Sequence, residues 1–339
     1  MDIDIVVTWV DGSDAGWTCE KKKWQAEIGA KVDDGAERYR DWGLLKYWFR
    51  GVERFAPWAR KVHFVTCGQR PHWLDTACPK LNLVDHADYM PECCLPTFSS
   101  HPIELNLHRI EGLAEHFVYF NDDMFLLRPV GEDLFFRDGR PVHPARLHAI
   151  LPVDDGNREI MNHIYLNMMT VINRNFESKA SIAANRSKWL GPRGKSFKEL
   201  AMNIFNAQHN GFIGFGDEHL PVPITKSTMS EVWEKEGRLL DETCMRKFRD
   251  ARDVSQYLFR YWDLASGNFV PIDARRLGKR YMISSEIRPI CDIVCEQQHP
   301  MICLNDMNEP CTDEMYEGIR KALTDAFEAV LPEKSSFEI

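Results

Sequence analysis

The feature that most constrains this chain is a short apolar run, Phe117 to Phe120, that stops abruptly at Asn121, Asp122 and Asp123. A run of that length bounded by polar residues suits a strand buried on both faces. A buried strand ending in adjacent carboxylates suits an open α/β sheet, where ligands bind in the crevice beyond the carboxyl ends of the strands. Neighbouring like charges raise each other's pKa unless a cation relieves them, so Asp122 beside Asp123 is hard to explain as plain surface.

The surrounding pattern fits such a sheet. Ile3 to Val10 is a continuous, β-branched apolar run, followed by Asp11-Gly12-Ser13-Asp14, a turn whose glycine lets a ligand approach the backbone. Trp17 to Gly35 is charged and predicts a solvated helix or flap. Asp41 to Phe55 has a helical period. Strands are expected at Lys61 to Thr66, ending in Cys67, Gly68 and Gln69, and at Leu81 to Val84, ending in Asp85, His86 and Asp88. A helix is expected from Ile103 to Glu115 with Glu104 along its edge. Beyond a hairpin or loop at Asp133 to Pro152, helical periods appear at Glu159 to Phe176, Ser196 to His209, Glu231 to Glu236, Asp241 to Arg249 and Val254 to Leu264. Ile302 to Leu304 predicts a last strand, ending in Asn305 and Asp306, and Thr312 to Val330 a last helix.

This order predicts an α/β, Rossmann-like fold: a mostly parallel sheet, helices on both faces, and a helical insertion covering the carboxyl edge of the strands. The expected division is a first part of the core at 1–130, a mainly helical acceptor-side segment at 131–280, and a return to the core at 281–339.

Lys and Arg number 42 against 51 Asp and Glu, a formal net charge of -9, which argues against nucleic acid as the main partner. The N-terminus lacks a basic n-region and no window approaches twenty apolar residues, so the expectation is a cytoplasmic chain without an integral membrane segment. Ten cysteines in such a chain are expected to be reduced thiols.

The strands starting near Ile3, Leu81, Phe117 and Ile302 all end in carboxylates, and in one parallel sheet those ends would converge. Oxygen ligands of this kind suit Mg2+ or Mn2+, held by Asp122, Asp123 and Asp306, with substrate phosphates completing the shell. Arg40, Arg109 and Arg249 offer cationic donors for those phosphates. His219 lies in Asp217-Glu218-His219-Leu220-Pro221, where the prolines forbid a regular helix, and is the candidate base for an attacking hydroxyl. A loop histidine without a role, and an Arg249 that only complements a helix dipole, are the plainer alternatives.

Four blocks carry a resemblance to a known family: IDIVVTWVDGSD from Ile3, the long block RYRDWGLLKYWFRGVERFAPWARKVHFVTCGQ with LPTFSSHPIELNLHRIEGLAEHFVYFNDDMF, EHLPVPITKS near His219, and ICLND near Asp306. Together they resemble the Stealth sugar-phosphate transferases, which transfer a hexose-1-phosphate from a nucleotide sugar to an acceptor hydroxyl. Asp41-Trp42-Gly43 and His101-Pro102 depart from the family's usual runs. The resemblance implies a glycosyltransferase-A-like core, Glu104, Asp122, Asp123, His219 and Arg249 at active-site positions, and Asp11, Gly12, Ser13 and Asp14 in the nucleotide-binding region. Arg40, Asp41, Gln69 and Arg109 complete the expected nucleotide-sugar contacts. The expected partners are a UDP-sugar donor and a saccharide or growing polysaccharide acceptor, with peripheral association to an assembly complex at the inner face of the membrane. A metal-dependent glycosyltransferase releasing UDP, and an inactive sugar-nucleotide-binding protein, are the competing expectations.

Overall fold

In the computed structural model, which describes residues 1–29, 39–151, 159–306 and 311–339, the chain opens with strand β1 (Ile3–Thr8) and helix α1 (Ala15–Ile28). Asp14 caps α1, its carboxylate accepting from the Trp17 N–H at 2.6 Å. Helix α2 (Leu45–Phe55) and strands β2 (Val62–Thr66) and β3 (Leu81–Asp85) follow, then short helices α3 (His86–Tyr89) and α4 (Ser100–Leu105). Only Asp122 and Asp123 separate β4 (His116–Asn121) from β5 (Met124–Leu126). The hairpin of β6 (Phe136–Arg137) and β7 (Arg140–His143) turns on Asp138 and Gly139, at φ 52° and 72°, as a type I′ turn requires. Helices α5 (Glu159–Asn175), α6 (Ser178–Ala184), α7 (Arg186–Leu190) and α8 (Phe197–Asn206) precede β8 (Val222–Thr225), α9 (Lys226–Cys244) and α10 (Tyr257–Ser266). The chain ends with β9 (Val270–Pro271), β10 (Gly278–Met282), α11 (Arg288–Cys295), β11 (Met301–Asn305) and α12 (Asp313–Val330).

The main sheet has the order β3-β2-β1-β4-β8, parallel except for β8 against β4. Alternate residues of its central strand face opposite ways: Ile3, Ile5 and Val7 enter one core and Val6 the other. The first core is closed by Trp48 and Phe49 of α2 and by Ile319, Leu323 and Phe327 of α12. The second is closed by Ile164 and Met168 of α5, Met229 and Val232 of α9, and Leu258 and Trp262 of α10. Segment 131–280 thus does more than cover the sheet edge: it supplies β8 and packs three helices on a full face.

Several expectations change. The helix foreseen from Ile103 to Glu115 ends at Leu105 and continues only as a 3-10 turn at Leu107–Arg109. The Asn106 amide donates to the Pro102 carbonyl at 2.8 Å and to Cys244 Sγ at 3.3 Å, and Gly112 sits at φ 74°. The strand at Ile302 is not in the main sheet. Both edges of β4 are taken by β1 and β8, so β11 forms a second sheet of order β10-β11-β5, parallel to β10 and antiparallel to β5. The acids ending β3 do not join a ligand crevice; Asp85 and Asp88 form the capping box of α3. The helices foreseen at Glu231 to Glu236 and Asp241 to Arg249 are one helix, α9, kinked where Glu236 leaves helical geometry to meet Asn175 and Arg174. It stops at Cys244, leaving Arg249 beyond it. Of the segment foreseen from Trp17 to Gly35, α1 is helical to Ile28; residues 30–35 lie outside the described residues.

All ten cysteines are unpaired thiols. Among the described residues, no helix is long and apolar enough to cross a membrane.

Candidate active site

Asp122 and Asp123 stand where the chain leaves the main sheet and enters the second one. The Leu304 N–H donates to the Asp123 carbonyl at 2.9 Å, which fixes the end of β11 against this turn. Cys303 then donates from Sγ to Asp123 Oδ2 at 3.3 Å. Burial, and next the Asp123 charge, hold that thiol well above its ordinary pKa, so it remains a protonated donor. Asp122 faces solvent, yet protein packed closely around it and the charges of Asp123 and Asp41 push its carboxyl up to about 8. Burial likewise raises Asp123, with His219 opposing the shift.

His219 approaches from the loop before β8. Its backbone is in the left-handed region at φ 48°, held there by its own N–H donating to Asp217 Oδ1 at 3.0 Å. Asp217 is anchored by Arg260, which donates to Oδ1 from Nη1 at 3.1 Å and to the Gly216 carbonyl from Nη2 at 2.5 Å. The imidazole Nδ1 lies 2.6 Å from the Tyr257 hydroxyl, and Nε2 lies 3.9 Å from Asp123 Oδ2. When the phenol oxygen accepts from Nδ1–H, Nε2 carries the free lone pair on the side of the acids.

The Asp11 loop lies beside this junction and lines an open cleft of ≈ 550 Å³ with Gly12, Ser13, Arg40 and Asp41. That is within the range of small-molecule sites. Asp11 is shaped by its own loop: Ser13 donates to Oδ1 from N and Oγ, and Gln69 pairs with the Asp11 backbone at 2.7 and 3.1 Å. A side chain at Gly12 would collide with the Tyr39 carbonyl, so only glycine fits. Burial and the Asp11 charge raise Asp41, whose own charge reaches Asp122, so one acidic field joins cleft and junction.

Other expected residues are placed differently. Asp306 does not meet Asp122 and Asp123: Arg40 Nη1 contacts both its carboxylate oxygens at 2.8 Å, so two residues assigned to metal and nucleotide neutralise each other. Arg109 stacks on the Trp233 ring of α9 at 4.8 Å. Asp14 uses its carboxylate as the cap of α1. Glu104 is buried, accepting from the Tyr119 hydroxyl at 3.1 Å; that phenol is 3.0 Å from Thr8 Oγ1, so the acid ties β4 to β1 under the site. Arg249 borders the site, with Nη1 3.6 Å from Met161 Sδ and its charge felt by Tyr165, whose ring is 6.1 Å from that of Tyr257.

Residues 38–142 match the family model for Stealth protein CR2, conserved region 2. The capsular polysaccharide phosphotransferase WcwK of Streptococcus pneumoniae is 38% identical over 340 residues, covering 99% of this chain and 99% of its own length. The chain belongs to the Stealth family of phosphotransferases. The exopolysaccharide phosphotransferase cps2G of Lactiplantibacillus plantarum is 37% identical over 339 residues, covering 100% of this chain and 96% of its own. A solved galactosyltransferase, LgtC with donor and acceptor sugar analogues, covers 96% of the chain and 95% of its own at 10% identity and a TM-score of 0.40, too remote to bear on the chemistry.

The matched Stealth region holds Arg40, Asp41, Glu104, Asp122 and Asp123, whereas His219, Tyr257, Arg280 and Cys303 come from outside it. Three of those were missed from sequence. Arg280 pairs in parallel register with Cys303, which pairs with Met124, so in-register side chains share a face and Arg280 emerges beside the thiol that reaches Asp123. Its charge is felt by Asp123, Cys303 and Tyr165. Cys303 had a signal, its place in ICLND next to polar strand-end residues. Tyr257 and Arg280 had none.

The residues of this Stealth site fit a divalent cation that prefers oxygen. Asp123 Oδ1 is buried without a hydrogen-bond partner among the described residues, and of the causes that raise Asp122, burial first and then the Asp123 and Asp41 charges, a cation would relieve the second. Asp123, His219 and Cys303 do offer ligand atoms within 4.8 Å of one another, but a protonated thiol is a poor ligand for Mg2+ or Mn2+.

Proposed function

We propose that this enzyme transfers hexose-1-phosphate, with N-acetylhexosamine-1-phosphate the favoured unit, from a UDP-sugar to a saccharide hydroxyl in capsular or exopolysaccharide synthesis. The acceptor O–H gives its proton to His219 Nε2 while its oxygen bonds to the sugar-side phosphorus. The bond from that phosphorus to the bridging oxygen breaks, and UMP leaves. The observation that carries this reading is the orientation of His219, with Nδ1 bonded to Tyr257 and Nε2 open 3.9 Å from Asp123.

The other residues take supporting roles. Asp122 and Asp123 would hold Mg2+ or Mn2+, which when bound offsets charge on the diphosphate oxygens. Arg249 and Arg280 would meet the reacting phosphate, and fixed guanidinium donors suit the charge that develops on phosphoryl oxygens. The Asp11–Asp41 cleft takes the nucleotide. Glu104, through Tyr119 and Thr8, keeps β4 and β1 in line beneath the site.

The test is 31P NMR of the protein with Mg2+, a panel of UDP-sugars and candidate saccharide acceptors. UMP with a new phosphodiester resonance is expected. UDP without that resonance means attack at the anomeric carbon and rules out His219 as the base for attack on phosphorus.

A further inference from the structure

Helix α8 is built inside out. Its buried side is polar: Asn203 accepts from the Leu147 N–H at 2.8 Å and donates to the Ala145 and Trp189 carbonyls at 2.7 and 2.9 Å, while Asn206 donates to the Leu147 carbonyl at 2.8 Å. Ser196 and Glu199 form its capping box. Its outer side is apolar. Phe197 is 89% exposed, Phe205 64%, Ile204 50% and Met202 43%, and exposed Ala201 lies between them. At 100° per residue these five lie on one arc, with exposed Lys198 inside it, opposite Glu199, Asn203 and Asn206. A helix facing only water has the reverse pattern, and an exposed apolar patch of this kind marks a contact surface.

The charge around the patch selects the partner. Between residues 186 and 210 five basic residues, Arg186, Lys188, Arg193, Lys195 and Lys198, stand with a single acid, Glu199, in a chain of net charge -9. Lys188 and Lys195 donate to backbone carbonyls, which leaves Arg186, Arg193 and Lys198 exposed, Lys198 within the aromatic arc itself. Aromatic and aliphatic side chains on one face, flanked by basic side chains long enough to reach past them, are the makeup of a helix that lies in a bilayer surface.

We propose that α8 docks the enzyme on a lipid bilayer carrying anionic headgroups, its axis parallel to the surface and Phe197 and Phe205 inserted among the acyl chains. The proposal is independent of which bond the enzyme makes. Arg146 pairs with both Glu199 on α8 and Glu218 beside His219, so the docked helix is one ion-pair relay from the catalytic loop.

Co-sedimentation of the full chain with phosphatidylcholine–phosphatidylglycerol vesicles tests it. The native chain is expected to bind, less well in high salt and to phosphatidylcholine alone. The double variant Phe197→Glu, Phe205→Glu is expected to bind about tenfold or more weakly, and Lys198→Glu to lose mainly the preference for anionic lipid. Both variants leave the Asn203 contacts untouched, and a circular dichroism melt checks that they fold. Absence of vesicle binding by the native chain, or undiminished binding by the folded double variant, overturns the proposal. So does a dimer of the native chain in light scattering that the double variant dissolves while neither binds vesicles; that result assigns the face to a second copy.

Discussion

Tyr257 is the partner of His219 Nδ1, and a base that works through Nε2 needs Nδ1–H donated to the phenol oxygen. Tyr257→Phe removes that partner while preserving the packing. We expect kcat to fall by roughly tenfold to a hundredfold with KM for the UDP-sugar nearly unchanged, by analogy with other bases held in one tautomer. Steady-state kinetics measures both, and an unaltered kcat removes Tyr257 from the mechanism. Arg280 should separate the other way. If it contacts a donor phosphate, Arg280→Ala raises KM on the order of tenfold, the weight of one charged hydrogen bond, and Arg280→Lys recovers part of the loss. Equal KM for the three proteins would place Arg280 outside the donor site. The acids at Asp122 and Asp123 were legible in the sequence because two adjacent carboxylates after an apolar run have few innocent explanations. Arg280 and Tyr257 were not, because a lone arginine in a strand and a tyrosine in an apolar helix acquire meaning only from what lies across from them. Asp306 takes its local setting in the same way, from Arg40, 266 positions away in sequence.

At the scale of elements, α10, β7 and α9 meet over a buried pair of titratable groups. Burial pushes the Asp263 carboxyl up to about 8, although Thr228 and Asn268 donate to it, and burial and Arg260 hold His143 well below its usual range. Asp263 Oδ2 lies 3.6 Å from His143 Nε2, and neither atom has another partner among the described residues. Taken alone, Asp263 releases its proton near 3.8 when unfolded and near about 8 when folded, so its contribution is complete below 3.8 and is lost as pH rises to about 8, with a limiting slope of about 1.4 kcal/mol per pH unit. His143 acts the other way below its ordinary value of 6.5, where the unfolded chain takes up a proton that the folded one does not, and comparison with an Asp263 variant isolates the aspartate because the histidine is common to both proteins. Asp263→Asn mimics the protonated acid at all pH. Its stability relative to the native chain should climb between about pH 5 and 8 and then level off, as urea unfolding at several pH values would show. A difference independent of pH would mean that Asp263 ionises normally. Strands β1, β2 and β4 were visible in advance as apolar runs, and α2 and α12 by period. What periodicity cannot supply is a strand's neighbours, so β11 was assigned to the wrong sheet. Nor does it distinguish an acid that caps a helix, as Asp85 does, from one that faces a ligand.

At the scale of the whole molecule, one apolar core runs from Ile3 of the central strand to Phe337 near the last residue. The tail is stitched to the first third of the chain: the Asp75 N–H donates to the Phe337 carbonyl at 2.8 Å, the Ile339 N–H to the Trp73 carbonyl at 2.9 Å, and the Phe337 ring sits 5.0 Å from Phe49. The strongest stitch is Arg50 of α2, buried, with Nε and Nη2 donating to the two oxygens of half-buried Glu338 at 2.8 and 2.9 Å. Glu338→Ala leaves that guanidinium to Glu328 and the Leu331 carbonyl and to no partner for its other edge. Removing one member of a buried pair costs about 3 kcal/mol. Because α2 belongs to the core that β1 shares with α12, the loss should reach the whole protein and not only its tail. Urea unfolding followed by tryptophan fluorescence and by far-UV circular dichroism should therefore give one coincident transition, shifted to lower denaturant in the variant by the same amount for both probes. Two separated transitions, with only one of them moved by Glu338→Ala, would mean that the faces of the sheet unfold independently and that the tail secures only the face bearing α2.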